Sequence, residues 1–174
     1  MAQGLAVLAV AAVLATGGSL PVLAPGAVPG LDATTHRVAA HDLAADVDGG
    51  SRFEALLRGW GFARGRERDF QGASRKVDRV VSRTLAFGDA RGASAYVAWI
   101  GAHPAALYGA GSEASRAASR GRTGYVIEAA ACACHRASPT LLAVVAHGGR
   151  VTWLEANGGG VTRSVLLGLL ARAP

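Results

Sequence analysis

Apolar residues recur at helical spacing in three segments of the chain. The first segment begins at Ser51, which with Glu54 fits a capping box, and the second follows Asp89 and ends before Pro104. The third lies near the C-terminus. Each segment would bury one apolar face, so the pattern predicts three helices. The apolar faces consist of Phe53, Leu56, Leu57 and Trp60, then Ala93, Tyr96, Val97 and Ile100, and finally Val165, Leu166, Leu169 and Leu170.

Five further segments alternate in polarity or are rich in β-branched residues, which predicts strands. Short turns join neighbouring strands, and Gly148-Gly149 is typical of a tight hairpin. The pattern therefore predicts an α+β domain with an antiparallel sheet of about five strands and helices packed on one face. Residues 105–123 are rich in small residues and predict a long loop, and Trp60, Tyr96 and Trp153 are expected in the core. The predicted strands are 62–70, 77–87, 124–134, 140–147 and 150–156.

The first 29 residues contain no charged side chain and are nearly all apolar. Residues 5–14 form a dense apolar block, which is typical of an export signal or a membrane anchor. We expect residues 1–30 to be a signal peptide or N-terminal membrane anchor with a Pro/Gly linker. Residues 31–50 are then a linker, and residues 51–174 a single α+β domain. The domain would work outside the cytoplasm, either secreted or anchored to the plasma membrane by its N-terminal segment.

The charge of the chain bears on its partners. The net charge is +6, and Lys76 is the only lysine among 18 basic residues. A basic exported domain favours contact with an anionic cell-envelope surface or with another envelope protein. The sequence contains no signature of nucleic-acid recognition, so we expect no nucleic-acid partner. We also expect no cofactor and no metal, and we expect contact with the membrane through the N-terminal segment.

Arginines on the first two predicted strands form a candidate anion-binding group. If the turn is centred between residues 73 and 74, Arg68 lies opposite Arg79, a repulsive pairing that an anion would stabilise. A shift of one residue places Arg68 opposite Asp78 and Glu67 opposite Arg79, and this register requires no ligand. Both registers remain open from the sequence. The members of the group are Arg64, Arg66, Arg68, Arg79 and Arg83.

Cys132 and Cys134 are the only cysteines, and one residue separates them. On a strand their Cα atoms would lie about 6.6 Å apart, near the upper limit for a disulfide, so a bridge requires a bend. The pair is therefore a structural or redox disulfide, two buried thiols, a site for a soft metal such as Cu(I), or a catalytic thiol. Export favours the disulfide, because oxidising compartments maintain it. Only His135 is close enough to join a metal site.

The remaining motifs identify no reaction. Asn157 and three glycines precede the last helix and resemble an anion-binding loop, but no Walker lysine follows. No GxSxG, HExxH or SxxK motif occurs. We therefore expect a non-enzymatic domain that binds an envelope component or a partner protein. The alternatives are a thiol-redox or copper-handling protein that uses Cys132 and Cys134, and a hydrolase whose site is assembled in the fold.

Two stretches resemble small exported proteins and lipoproteins of actinobacteria, many of which are uncharacterised. Residues 87–99 (FGDARGASAYVAW) are similar to a strand-turn-helix unit of extracytoplasmic sensor-like domains, and residues 151–158 (VTWLEANG) close the similar region. The resemblance covers roughly residues 51–172 and implies no catalytic residues. This chain departs from the family because it lacks a lipid-attachment cysteine and the spread cysteine pairs of some sensor domains.

Overall fold

The structure, a computed structural model, describes residues 19–72, 77–129 and 138–174. In these ranges seven strands form one antiparallel sheet in the order β1-β2-β3-β7-β6-β5-β4. The strands are β1 (Asp32–Val38), β2 (Phe62–Gln71), β3 (Arg79–Phe87), β4 (Glu113–Ser119), β5 (Arg122–Glu128), β6 (Thr140–His147) and β7 (Arg150–Asn157). The helices are α1 (Ala40–Ala45), α2 (Gly50–Gly59), α3 (Ala90–Ala102), α4 (Pro104–Tyr108) and α5 (Arg163–Leu170), with a short 3-10 helix at Pro25–Ala27.

The sheet has seven strands in the described ranges, so the prediction of about five was wrong, although the fold is α+β. The two missed strands, β1 and β4, lie at the edges of the sheet. In β1 only Val38 is buried, and β4 (EASRAAS) contains no large apolar residue. Edge strands are often short and polar, so alternation of apolar residues does not reveal them. Residues 31–50, expected as a linker, contain β1 and α1, and the expected loop 105–123 contains α4 and β4.

Helices cover both faces of the sheet, which corrects the prediction of one covered face. On the first face Leu57 of α2 and Tyr96 and Ile100 of α3 pack against the strands. On the second face Leu166 and Leu170 of α5 pack against the other side of the same strands. Helical spacing shows which side of a helix is apolar, but it does not show on which side of the sheet the connection passes.

The chain that follows residues 1–18, which carry the predicted apolar leader, belongs to the folded domain. Residues 19–31, which we call the N-terminal strap, lie on the second face, and Leu23, Val28 and Leu31 are buried there. The predicted signal or anchor falls mainly on residues 1–18, which lie outside the described residues. None of the described helices is long and apolar enough to cross a membrane.

Local hydrogen bonds explain where two predicted helices begin. Asp89 caps α3 as predicted, and its Oδ1 accepts a hydrogen bond from the Gly92 backbone N–H at 2.7 Å. The capping box predicted for α2 is wrong, because the helix begins one residue earlier, after Gly49 in a left-handed conformation with φ of 77°. Glu54 instead accepts a hydrogen bond from Arg58, one turn further along the helix, at 2.8 Å.

The aromatic core was largely predictable. Tyr96 and Trp153 are 1% and 3% exposed, which confirms their place in the core. Trp60 is only half-buried and packs edge-on against Tyr96, with ring centroids 6.3 Å apart. It closes the side of the core between α2 and α3, so part of its ring contacts solvent.

We expect Tyr96→Ala to lower the free energy of unfolding by about 3–5 kcal/mol, because it removes a fully enclosed ring. Trp60→Ala should cost less, since part of that ring is already exposed. Val165 is 37% exposed on α5, and Val165→Ala is the control, with a change within about 0.5 kcal/mol. Urea unfolding followed by circular dichroism measures all three. Equal losses in the three variants would contradict this packing.

Candidate functional site

Strand pairing separates the five arginines of the candidate anion-binding group. Glu67 lies opposite Arg83 and Arg68 opposite Ser82, so neither predicted register is right. Gln71 pairs with Arg79, so the connection between the strands is centred later in the chain than either predicted register required. Alternate residues of a strand project from opposite faces. The sheet therefore places Arg79 and Arg83 on the first face, and Arg64, Arg66 and Arg68 on the second.

Carboxylates bind both arginines of the first face. Arg83 donates through Nε to Glu67, and its terminal nitrogen lies 2.9 Å from Asp46 Oδ2. Arg79 binds Asp69 through two hydrogen bonds of 2.9 Å each. Burial alone would raise the pKa of Asp69, but the hydrogen bonds from Arg79 and Gln71 outweigh it and hold the pKa below its usual range. These contacts give both arginines a structural role.

His36 joins the same network from the edge strand β1. Its Nε2 lies 3.1 Å from Glu67 Oε1, while the other oxygen of Glu67 binds Arg83. Glu67 is 7% exposed, whereas the His36 side chain is 51% exposed. The pair ties β1 to β2 and is not the buried histidine-carboxylate pair of a hydrolase.

The arginines of the second face hold the N-terminal strap. Arg66 donates to the Leu20 carbonyl at 3.2 Å, and Arg68 donates to the Leu23 carbonyl. The Leu23 backbone N–H donates to Ser82 Oγ at 3.1 Å. A carbonyl oxygen accepts these hydrogen bonds but carries no formal charge. The strap is therefore fixed to the sheet while the arginines keep their positive charge.

A cavity of about 840 Å³ opens where the strap meets β1 and β2. We call it the basic cavity, because Arg37, Arg64 and Arg66 line it beside Ser19 and Leu20 of the strap. Arg37 and Arg66 lie directly opposite each other in the β1–β2 pair. Like charges in directly opposed positions repel each other.

The lining of the basic cavity does not neutralise this charge. Among the described residues, no carboxylate forms an ion pair with Arg37 or Arg66. Asp42 also lines the cavity and contributes one negative charge, but its oxygens bind the Ala39 backbone N–H at 2.8 Å and approach His41 at 3.1 Å, so its one charge offsets only one of the arginines in the lining. The arrangement suits a bound anion. Sequence reasoning missed Arg37, because it treated residues 31–50 as a linker, and only the pairing of β1 with β2 reveals its position.

The structure does not describe the cysteine pair, and the glycine-rich loop does not line the basic cavity. Cys132, Cys134 and His135 lie outside the described residues, so the disulfide, thiol and copper alternatives stay predictions. Within the described ranges, no group of three or more metal-ligating side chains is arranged to hold an ion. Asn157 donates to Thr140 Oγ1 at 2.6 Å and so joins β7 to β6. The last helix begins several residues beyond the glycines, at Arg163.

Comparisons with known proteins identify no relative of this chain. No family model matches it, no curated protein matches it, and no solved structure matches it. The resemblance to exported actinobacterial proteins therefore stays a prediction, and function has to be inferred from the geometry of the two faces.

Acid titration should expose the contribution of Asp69. Its folded pKa lies below the unfolded value of about 3.9, so its stabilisation is present above that value and is lost as the pH falls through the folded pKa. We expect Asp69→Asn to cost about 1–2 kcal/mol at pH 7, because solvent screens the half-exposed Arg79. The difference from the parent should shrink below about pH 4.

The control for this titration is Asp48→Asn, which changes an exposed carboxylate. Urea unfolding at pH 7, 5, 4 and 3 measures both variants against the parent. A gap between Asp69→Asn and the parent that stays constant over this range would contradict the assigned role of Asp69.

Proposed function

We propose that the protein is an exported or membrane-anchored, non-enzymatic domain whose basic cavity binds an anionic component of the cell envelope. The observation that carries the proposal is the direct opposition of Arg37 and Arg66 in a cavity of about 840 Å³. Two guanidinium groups in these positions repel each other until an anion lies between them. The ligand group that suits them best is a phosphate, because its oxygens accept paired hydrogen bonds from arginine.

Two residues that line the cavity lie next to the predicted membrane segment, which supports a lipid head group as the source of the phosphate. Ser19 and Leu20 line the cavity and directly follow the apolar leader. A leader that anchors the domain brings this cavity to the membrane surface, where anionic lipids attract each nearby arginine by about 1 kcal/mol. The strap carbonyls that bind Arg66 and Arg68 would hold the domain at a fixed distance from the leader.

The same geometry weighs against a hydrolase. A hydrolase of the Ser-His or Cys-His type needs a histidine that accepts a proton from the nucleophile. His36 is half-exposed, and Glu67, which orients it, is also bound by Arg83. The contact between His36 and Glu67 therefore serves the pairing of β1 with β2. The copper and thiol-redox alternative depends on Cys132 and Cys134, and no described contact favours it over anion binding.

Binding of a soluble short-chain phosphatidylglycerol, kept below its micellar concentration, tests the cavity. We expect the full-length chain to bind it in calorimetry and Arg37→Gln/Arg66→Gln to lose about 2 kcal/mol, or roughly 30-fold in Kd. The matched control is Arg52→Gln/Arg91→Gln, which removes the same charge from exposed positions. Inorganic phosphate that binds as tightly as the lipid would contradict the lipid assignment. Equal losses of lipid affinity in both double variants would contradict the claim that the lipid binds in the basic cavity.

Export is tested with a reporter enzyme that is active only outside the cytoplasm. We expect activity when the reporter follows the complete chain, because the apolar leader should direct export. The matched control lacks residues 1–18 but keeps the N-terminal strap and the sheet. Activity that survives this deletion, or intact fusion protein that stays inactive in the cytosol, would contradict export through the leader.

A further inference from the structure

One edge of the sheet is a strand of mostly small residues that has no strand on its outer side in the described ranges. This strand, β4 (Glu113–Ser119), is the last in the sheet order, and it pairs with β5 in a continuous register without a bulge. Its sequence, EASRAAS, contains neither a proline nor a large apolar residue. Such an edge offers unpaired backbone groups to a strand of another chain, and native sheets usually block it.

The hairpin turn determines which backbone groups of β4 point outward. Arg120 and Gly121 join β4 to β5 with φ of 51° and 73°, as in a two-residue type I′ turn. The residue pair that flanks such a turn is hydrogen-bonded, and hydrogen-bonded pairs then alternate along the two strands. The N–H and C=O groups that point away from β5 therefore belong to Ala114, Arg116 and Ala118.

Arg163, the first residue of α5, binds one of these outward groups. Its Nη2 donates to the Arg116 carbonyl at 3.1 Å, and its Nη1 donates to the Ser115 hydroxyl at 2.6 Å. The guanidinium group therefore lies along the outer side of β4, where a further strand would have to pair. That strand would have to displace the guanidinium group before it could reach the Arg116 carbonyl.

The start of α5 fixes the position from which Arg163 reaches the edge. The Thr162 hydroxyl caps the helix and accepts a hydrogen bond from the Val165 backbone N–H at 3.3 Å. Leu166 is fully buried against the second face of the sheet. Because the cap and this packing hold the backbone of Arg163, only its side chain has to be ordered when it binds β4.

The charge of Arg163 adds to the block. Among the described residues, no carboxylate forms an ion pair with Arg163, so its positive charge stays at the edge. Two copies that paired through β4 about a twofold axis would bring their Arg163 side chains close together. Like charges oppose this pairing, as charged side chains do on many natural edge strands.

Without this block the edge could pair with itself. An antiparallel arrangement centred on Ser115 places Ala114 opposite Arg116 of a second copy, so two outward-pointing residues meet. In the same register Glu113 lies opposite Ala117 of the second copy. No like charges lie directly opposite each other, and the small side chains allow the two strands to approach closely.

We propose that Arg163 is an edge guard, which keeps β4 from pairing with β4 of a second copy of this chain. The guard combines the contact with the Arg116 carbonyl and the positive charge beside it. The proposal does not depend on the basic cavity, because no residue of β4 or α5 lines that cavity.

Replacement of Arg163 tests the guard in the full-length chain. We expect the parent to stay monomeric and Arg163→Ala to dimerise at least about tenfold more tightly than the parent. Sedimentation velocity in a mild detergent, which shields the predicted apolar leader, measures the association. The matched control is Arg91→Ala, which removes the same charge from an exposed position on α3 and should behave as the parent does.

Urea unfolding shows whether Arg163→Ala is folded. If it is not, Arg163→Gln provides the second variant, and we expect the same dimerisation because this change also removes the charge. Folded variants that stay monomeric would overturn the proposal. Equal association of the parent or of Arg91→Ala would overturn it as well.

Hydrogen exchange identifies the surface through which the variant pairs. In the dimer of Arg163→Ala we expect slower exchange at the outward amides of β4 and unchanged exchange at β1, the other edge strand. The amides concerned are those of Ala114, Arg116 and Ala118. A dimer whose protection lies at another surface would show that Arg163 does not guard β4.

Discussion

The burial of Glu67 on β2, the strand next to the edge strand β1, is the constraint on which the rest of the structure depends. A carboxylate that is 7% exposed has to be paired, and its partners come from both neighbouring strands, His36 on β1 and Arg83 on β3. Arg83 also binds Asp46, which follows α1. One buried charge thus connects three strands and a helix. Removal of Arg83 would leave the buried carboxylate without its charged partner, which is far more costly than the net gain from the pair.

This pairing determines which chemistry each face presents. With Glu67 on the first face, Arg66 and Arg68 project from the second and meet the carbonyl oxygens of the N-terminal strap. Hydrogen bonds to carbonyl oxygens fix the strap without neutralising the guanidinium groups. On the first face Arg83 lies against the Trp153 ring. The basic cavity and the ion pairs of the first face therefore follow from one strand register.

The sequence predicted the helices and strands in which buried apolar residues recur at regular spacing. It did not reveal the strands whose residues are mostly exposed. The cap at Asp89 and the bounds of β6 were right, because local hydrogen bonding and a continuous apolar run specify them. The edge strand β1 was missed because its residues are mostly exposed, and Arg37 was missed with it. The face on which α5 packs, and the register of β2 on β3, depend on contacts between residues distant in the chain. Neither propensity nor spacing encodes such contacts, so the basic cavity could not be predicted, although two of its arginines, Arg64 and Arg66, were named.

The alternation of charge along β2 explains why this register is specific. From residue 64 to residue 69 the chain reads RGRERD, so arginines project from one face and acids from the other. A slip of one residue would exchange the two sets of side chains. Glu67 and Asp69 would then face the carbonyl oxygens of the strap, and the arginines would face Arg79 and Arg83. Both faces would lose complementary partners at once, and five like charges would meet on the first face. The polar residues of β2 therefore define the register that apolar alternation leaves open, and the same residues leave Arg66 opposite Arg37 at the edge of the sheet.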